Sequence, residues 1–520
     1  MSNENAGTDA SRGGPPGWIS RALGVVERIG NRLPDPATLF VLIGLVVLAV
    51  SWIGATAGWS VPDPRGGTEP LKVVNLLDVA GIRWIVTGAI ANFLEFPPLA
   101  IVLVAMLGIG VAERTGLFPA LLKLLVALTP ARLLTPAVVL IGVNSSAAAD
   151  AGYVVLPALA AGVFAMVGRS PVVGISAATF GVAGGFSANL AITSLDPLLQ
   201  GLTQQAIRAV DPERIVSPAC NWYFLIVSTF FLTGLGWLVT DRIVEPRFSK
   251  AEVAAQIARG HVESGERAVS AAERRGLIAA LVAFLVAGGA FLAMALVPDG
   301  PLTGQVPRHG SGMLVPAWSE AIVPMILVLF LVPGIAFGLV SGEIRSDRHV
   351  ANRMGEAMSG MGTYLVLAFF AGQTIAWFRK SNLSAVLGVE GGELIKSIGA
   401  GPGPMIVAIV LTCALLNLLV SSASAKWALL APILVPMLAG AGMSPELTQA
   451  AYRVGDSCTN QIAPLNAYLV IILVAIRKYL PEAGLGTLIA LQLPYSIAAI
   501  VLWTAMLVGW NALGVPLGPP

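Results

Sequence analysis

The chain has 520 residues, of which 56% are hydrophobic and only 12% are charged. A soluble domain carries about 25% charged residues, so this composition, with mean hydropathy +0.80, excludes a soluble globule and implies an integral membrane protein. The net charge of +2 gives no basic surface for nucleic acid, and Cys220, Cys413 and Cys458 are too scattered for a disulfide framework or a metal knuckle.

Residues 1–35 are rich in Gly, Pro and Ser and lack an apolar stretch before a small-residue cleavage site. They are expected to form a cytosolic tail and not a signal peptide. The first membrane half is expected over 36–241. Within it, 36–56 and 215–240 are apolar enough for full spans of roughly 20 residues, and Glu95, Glu113 and Arg114 read as segment ends. The stretch 133–168 is broken at its centre by Asn144-Ser145-Ser146-Ala-Ala-Ala-Asp150 and contains Pro157. That pattern predicts a helical hairpin that enters the membrane and returns on the same side. The window 171–195 that follows is interrupted by Gly184-Gly185, as in a helix unwound halfway.

A polar, Ala/Glu/Arg-rich surface helix is predicted in 250–275, inside a cytosolic linker of 242–275. The second half, 276–520, offers spans at 276–298, 321–342, 357–378 and 485–511. A second hairpin is predicted over 409–441, with Ser421-Ser422-Ala-Ser424-Ala-Lys426 at its tip and Pro432 and Pro436 behind it. The window 446–476 is interrupted by Gly455-Asp456, which predicts a second broken helix. Arg21, Arg28 and Arg32, the seven basic residues from Arg242 to Arg275, and Arg345, Arg348 and Arg353 place the tail, the linker and the 343–356 loop in the cytoplasm by the positive-inside rule. The 299–317 loop, with Arg308 alone, should face outward.

The two halves thus repeat one order: a hairpin with a Ser-Ser tip, then a broken helix with Gly-x-x-x-x-Asn. The separations are similar, 44 residues from Ser145 to Asn189 and 39 from Ser421 to Asn460. Small hydroxyl residues, glycines and asparagines deep in apolar sequence are what irregular backbone needs to line a polar cavity. The expected fold is an all-α membrane protein of two structural repeats, working as a secondary transporter with a midplane site.

Asn144, Asn189, Asn417 and Asn460, with Ser145, Ser146, Ser421, Ser422 and Ser424, supply hard oxygen ligands suited to Na⁺. Interhelical hydrogen bonding is the plainer role for the same residues. Asp150 and Lys426 occupy matching places in the two hairpins. Arg453 and Asp456 lie three residues apart, on one face if the helix persists. Either they form a structural ion pair, or Arg453 meets an anionic substrate while Asp456 binds the coupling cation or proton. Asp196 stands in Ser-Leu-Asp-Pro, inside the cavity or at the membrane surface. Trp427 either packs or stacks on an aromatic substrate. His261, His309 and His349 fall in predicted loops, and neither a zinc-protease His-Glu-x-x-His nor a P-loop occurs, which disfavours zinc chemistry and ATP-driven transport by this chain.

At these motifs the chain resembles the AbgT family, the p-aminobenzoyl-glutamate transporter and antimetabolite-exporter group. The resemblance covers nearly everything after residue 20. Its specific blocks are Ser145-Ser146-Ala-Ala-Ala-Asp150-Ala-Gly152-Tyr153, Gly184-Gly185-Phe-Ser187-Ala-Asn189, Asp196-Pro197, Ser424-Ala-Lys426-Trp427 and Tyr452-Arg453-Val-Gly455-Asp456-Ser457. It implies about nine spans, two re-entrant hairpins, a homodimer in the inner membrane, and movement of p-aminobenzoyl-glutamate or p-aminobenzoate-like compounds, with export of sulfonamides. No cofactor is implied beyond Na⁺ or H⁺ as coupling ion. Transport-critical positions fall on Asp196, Trp427, Arg453 and Asp456, with Ser424, Pro445 and Pro464 in support and Asn417 and Asp456 near a sodium site. The competing readings are a carboxylate or dicarboxylate carrier on the same plan, an intramembrane hydrolase using Asp150, Asp196 or Asp456, and a passive channel. The hydrolase lacks a Gly-x-Gly-Asp signature, and the channel lacks a charged ring or filter repeat.

Overall fold

In a computed structural model, the structure describes residues 36–64, 67–145, 151–259, 269–307, 314–399, 401–420, 422–466 and 468–519. The N-terminal tail, the tip residues Ser146, Asp150 and Ser421, and His261 and His309 lie outside the described residues. The described residues form helices joined by turns and unwound segments, with two short antiparallel ribbons: β1 (Ser60–Val61) with β2 (Leu71–Lys72), and β3 (Gln305–Pro307) with β4 (Leu314–Pro316). Apolar sequence forms helices here because lipid offers backbone N–H and C=O groups no partner but each other. Among the described residues, seven helices are long and apolar enough to cross a membrane, or up to ten if each bent pair counts as one span.

The first half opens with α1 (Pro36–Thr56), α2 (Val79–Leu94) and α3 (Pro97–Arg114). Arg83 hides α2 from a search for charge-free windows. Then come α4 (Leu117–Ala127), α5 (Leu134–Asn144), α6 (Ala151–Met166), α7 (Pro171–Thr179) with a π turn at Phe180–Gly184, α8 (Leu195–Ile207) and α9 (Trp222–Val239). The polar helix α10 (Lys250–Arg259) follows. The predicted surface helix of 250–275 is shorter than expected, since residues from Ala271 on belong to α11 (Ala271–Leu296), which starts at a Ser270/Glu273 capping box.

The second half continues with α12 (Ala317–Glu320), α13 (Ile322–Ser341), α14 (Asp347–Ser359) and α15 (Gly362–Lys380). The predicted 343–356 loop is largely α14, and His349 is helical rather than in a loop. The sequence is polar on average, but its apolar residues recur on one face, and that face lies along α3. Next are α16 (Leu383–Ile398), α17 (Pro402–Asn417), α18 (Ala423–Gly440), α19 (Pro445–Cys458), α20 (Tyr468–Arg477) and α21 (Leu485–Ala512).

The repeat is visible in this order. α4 bends into the first hairpin arm at 114°, and α16 bends into its counterpart at 119°. The hairpins α5–α6 and α17–α18 follow, then the broken helices α7–α8 and α19–α20, then the spans α9 and α21. Both broken helices start the same way. Ser170 and Ser444 cap them by accepting from Val173 N (3.4 Å) and Leu447 N (3.1 Å), with Pro171 and Pro445 at the first helical position, where proline's missing N–H costs nothing. The packing is reciprocal: α8 lies on α18 of the second hairpin, and α20 lies on α6 of the first. Each broken helix is thereby braced by the other repeat.

In the turn between α6 and α7, Arg169 joins Asp241 (2.6 Å), Glu245 (2.5 Å) and Thr135 Oγ1 (2.7 Å). Burial acts to lower its pKa, but the two carboxylates outweigh that and hold it above the usual arginine value.

The two breaks differ from expectation in one respect. The first does fall after Gly184-Gly185, at 185–194. The second does not fall at Gly455-Asp456: α19 runs unbroken through both and ends at Cys458, with Thr459–Asn466 unwound apart from a turn at Asn460–Ile462. Gly455 serves packing, because a Cβ there would lie 2.5 Å from Val410 O of α17. Gly455→Val should therefore cost about 1–3 kcal/mol by overpacking, seen as a lower thermal unfolding midpoint in detergent. An unchanged midpoint would contradict the close α17–α19 contact.

Candidate functional site

Membrane burial makes every charge at this depth require a partner, since an unpaired one costs ~3 kcal/mol or more. Arg453 and Asp456, both 1% exposed, do not satisfy each other as the spacing suggested. Arg453 turns to the other repeat, where its guanidinium lies 2.7 Å from Asp196 Oδ1. Asp456 Oδ1 instead pairs with Lys426 Nζ. One turn of helix puts the two side chains near each other, but the groups packed alongside decide the pairing.

Asp196 is 4% exposed, buried inside the protein. It occupies the first turn of α8, where a carboxylate is favoured by the helix dipole. Its Oδ2 accepts from Thr193 N (2.6 Å) and Thr193 Oγ1 (2.9 Å), which leaves Oδ1 for Arg453. Arg453 Nε has no hydrogen-bond partner among the described residues, and neither has Asp456 Oδ2.

Lys426 belongs not to the hairpin tip but to the first turn of α18, which Ser422 caps by accepting from Ala425 N (3.3 Å). A cation at a helix N-terminus is unfavourable, and Asp456 and Asn417 Oδ1 offset this by holding the ammonium. Asn417, the last residue of α17, also donates through Nδ2 to Asp456 O (2.6 Å), Thr459 Oγ1 (3.0 Å) and Asn460 Oδ1 (2.9 Å). It thus ties the second break to the hairpin. Asn144, the last residue of α5, does the same for the first: its Oδ1 accepts from Leu190 N at 3.1 Å. Ser145 bonds back to Gly142 O (2.6 Å).

The two breaks meet. Asn460 Nδ2 donates to Ala183 O (3.2 Å), and Ser187 N donates to Ser457 Oγ (3.1 Å). Of the expected sodium ligands, Asn417, Asn460 and Asp456 come together, while Asn189 stands buried in the first break. Pro445 opens α19 and Pro464 lies in the unwound segment after it, so the two prolines bracket the helix that carries Arg453 and Asp456.

Trp427 is fully buried. One face stacks on Tyr452, centroids 4.4 Å apart, and its Nε1 donates to Thr203 Oγ1 (3.0 Å) and Leu199 O (3.2 Å). Thr203 in turn donates to Gln449 Oε1 (2.6 Å), and Gln449 Nε2 to Asn221 Oδ1 (3.1 Å). Sequence reasoning missed Thr203 and Gln449, and gave Tyr452 no role. The signal for Thr203 was a polar stripe at helical spacing, Gln200-Thr203-Gln204, in a helix too short to read as a span. Ser424 borders a cavity of about 10 Å³ with Phe96, Tyr364 and Ala428, room for about one water. A larger, open cavity of about 550 Å³ lies at the start of α19, between Arg214, Cys220, Glu446 and Gly514–Pro519.

The sequence pattern of the AbgT putative transporter family matches residues 21–520. The chain belongs to the AbgT transporter family. It is 35% identical to the p-aminobenzoyl-glutamate transport protein of Escherichia coli (strain K12) over 497 residues, 95% of this chain and 96% of that one. Its structure is similar to the YdaH transporter of Alcanivorax borkumensis, described as having an unusual topology (TM-score 0.85, 38% identity, 94% of this chain and 100% of that one). It is also similar to MtrF of Neisseria gonorrhoeae, of a class of antimetabolite efflux pumps (TM-score 0.88, 40% identity, 96% and 100% covered). AbgT membership makes the chain a multi-pass membrane transporter.

Asn417→Ala removes the amide whose two N–H groups are shared among Asp456 O, Thr459 Oγ1 and Asn460 Oδ1, and the Oδ1 that holds Lys426. It should lower stability by about 1–3 kcal/mol and speed amide hydrogen exchange over 459–463 in detergent. Unchanged exchange there would mean that the asparagine does not hold the segment.

Proposed function

We propose that the chain is a cation-coupled secondary transporter of p-aminobenzoyl-glutamate and p-aminobenzoate-like aromatic carboxylates, and that it also exports sulfonamide antimetabolites. The observation that carries this reading is the buried Arg453 guanidinium, whose Nε lacks a partner among the described residues beside two helix breaks. A substrate carboxylate supplies the missing acceptor. Broken-helix ends and hairpin arms supply N–H donors around it. The oxygens of Asn417, Asn460 and Asp456 suit Na⁺ as coupling ion, and the Asp456 carboxylate suits H⁺. The open cavity at the start of α19 serves as vestibule, and alternating access follows from moving the hairpins and their reciprocal helices against the rest. The AbgT resemblance supports an inner-membrane homodimer, and the basic residues at 21–32 and 242–275 support a cytoplasmic N-terminus.

A carrier of carboxylates without aromatic preference is the second reading, favoured by the covered face of Trp427. It binds no ring unless Tyr452 moves away. In proteoliposomes, Arg453→Ala and Asp456→Ala should each abolish p-aminobenzoyl-glutamate flux while the protein still elutes as the folded species. Wild-type flux in either variant contradicts the assignment. Trp427→Ala should impair ring-bearing substrates more than plain dicarboxylates, and equal loss for both favours the second reading.

A further inference from the structure

The four charges at the site, Asp196, Arg453, Asp456 and Lys426, are each at most 5% exposed in their side chains and sum to zero. In the second pair the Lys426 ammonium contacts two oxygens at once, Asn417 Oδ1 and Asp456 Oδ1. These are hard donors of the kind a small monovalent cation takes. The other carboxylate oxygen, Asp456 Oδ2, is buried without a hydrogen-bond partner among the described residues. The Tyr452 hydroxyl, 3.4 Å from Asp456 Oδ1, adds a further oxygen to the lining. The seat therefore has more oxygen than an ammonium on one side of it uses, and a tethered cation already fills it. Lysine suits such a role: its charge is compact and sits on a flexible four-carbon stem. Lys426 reaches the seat from the first turn of α18, so a change of rotamer withdraws the charge without unwinding the helix.

We propose that Lys426 is a tethered competitor of the coupling cation: sodium binds Asn417 Oδ1 and Asp456 only by displacing the ammonium, and the displaced ammonium becomes a counter-ion for the substrate carboxylate. Charge balance links the two events. One sodium ion added to a neutral set leaves a surplus of one positive charge in a dry chamber, which is unfavourable until an anion enters. Arg453 Nε, also without a partner, lies in the same set and offers that anion a second donor. Sodium and anion therefore enter together, although Asp456 was never left unpaired beforehand. The counter-ion half of this rests on the anionic substrate proposed above; the competition half does not.

The test measures radiolabelled sodium binding to the full-length protein in nanodiscs, with and without p-aminobenzoyl-glutamate. In the wild type, p-aminobenzoyl-glutamate should tighten sodium binding about tenfold or more. In Lys426→Gln, sodium should bind about tenfold or more tighter than in the wild type without substrate, and the substrate should no longer tighten it. Lys426→Arg, which keeps a positive charge against Asp456, should fold like the wild type and bind sodium more weakly. Should Lys426→Gln fold only in sodium, that dependence supports the same seat. Sodium binding no tighter in Lys426→Gln than in the wild type overturns the proposal, as does tighter binding in Lys426→Arg. If the wild type fails to bind p-aminobenzoyl-glutamate while Lys426→Gln gains sodium affinity, the assigned substrate is wrong and the competition stands.

Discussion

A carboxylate and a guanidinium that meet across the two repeats, Asp196 and Arg453, set the terms for the rest of this structure. In lipid neither charge is tolerable alone, and breaking such a pair by removing one partner typically costs ~3–5 kcal/mol. Asp196 opens the second half of the first broken helix, and Arg453 sits near the end of the first half of the second. Their contact at 2.7 Å therefore holds the two discontinuities side by side. Once they are adjacent, the freed backbone groups find partners in each other: Asn460 reaches Ala183 O, and Ser187 N reaches Ser457.

The same economy of partners explains the hairpins. Each first arm ends in asparagine, Asn144 or Asn417, and each asparagine bonds to the unwound segment that follows in its own repeat, at Leu190 N or at Thr459 and Asn460. Each second arm supports the broken helix of the opposite repeat. Hairpin and break form a unit within a repeat, while the bracing comes from across it. Each hairpin is thereby tied to both breaks, to one by its asparagine and to the other by packing.

Much of this was legible in the chain. Composition gave the membrane class, and the order of hairpin then broken helix in each half gave the repeat, with Asn189 and Asn460 falling in the two unwound segments. The paired Ser-Pro starts at 170–171 and 444–445 were present but passed over, although capping chemistry makes them a sharper repeat signal than serine-alanine runs. What sequence spacing did not yield was partner choice. The spacing of Arg453 and Asp456 allowed an ion pair between them, and Gly455 looked like a break, because both inferences used a single helix. Partners at long sequence distance, Asp196 for Arg453 and α17 for Gly455, overrode them. Trp427 was recognised as important, but its stacking partner is Tyr452, a residue whose role depends on how α18 meets α19.

The claim on which the account stands is that Asp196 and Arg453 neutralise each other across the repeats. Exchanging the charges tests it most directly: Asp196→Arg, Arg453→Asp and the double exchange, compared by thermal unfolding in nanodiscs. The account predicts that each single exchange, with two like charges facing in a dry chamber, unfolds at a much lower temperature, and that the double exchange recovers a large part of the loss. If the losses simply add in the double variant, the two residues do not act as a pair, and the meeting of the two breaks needs another cause.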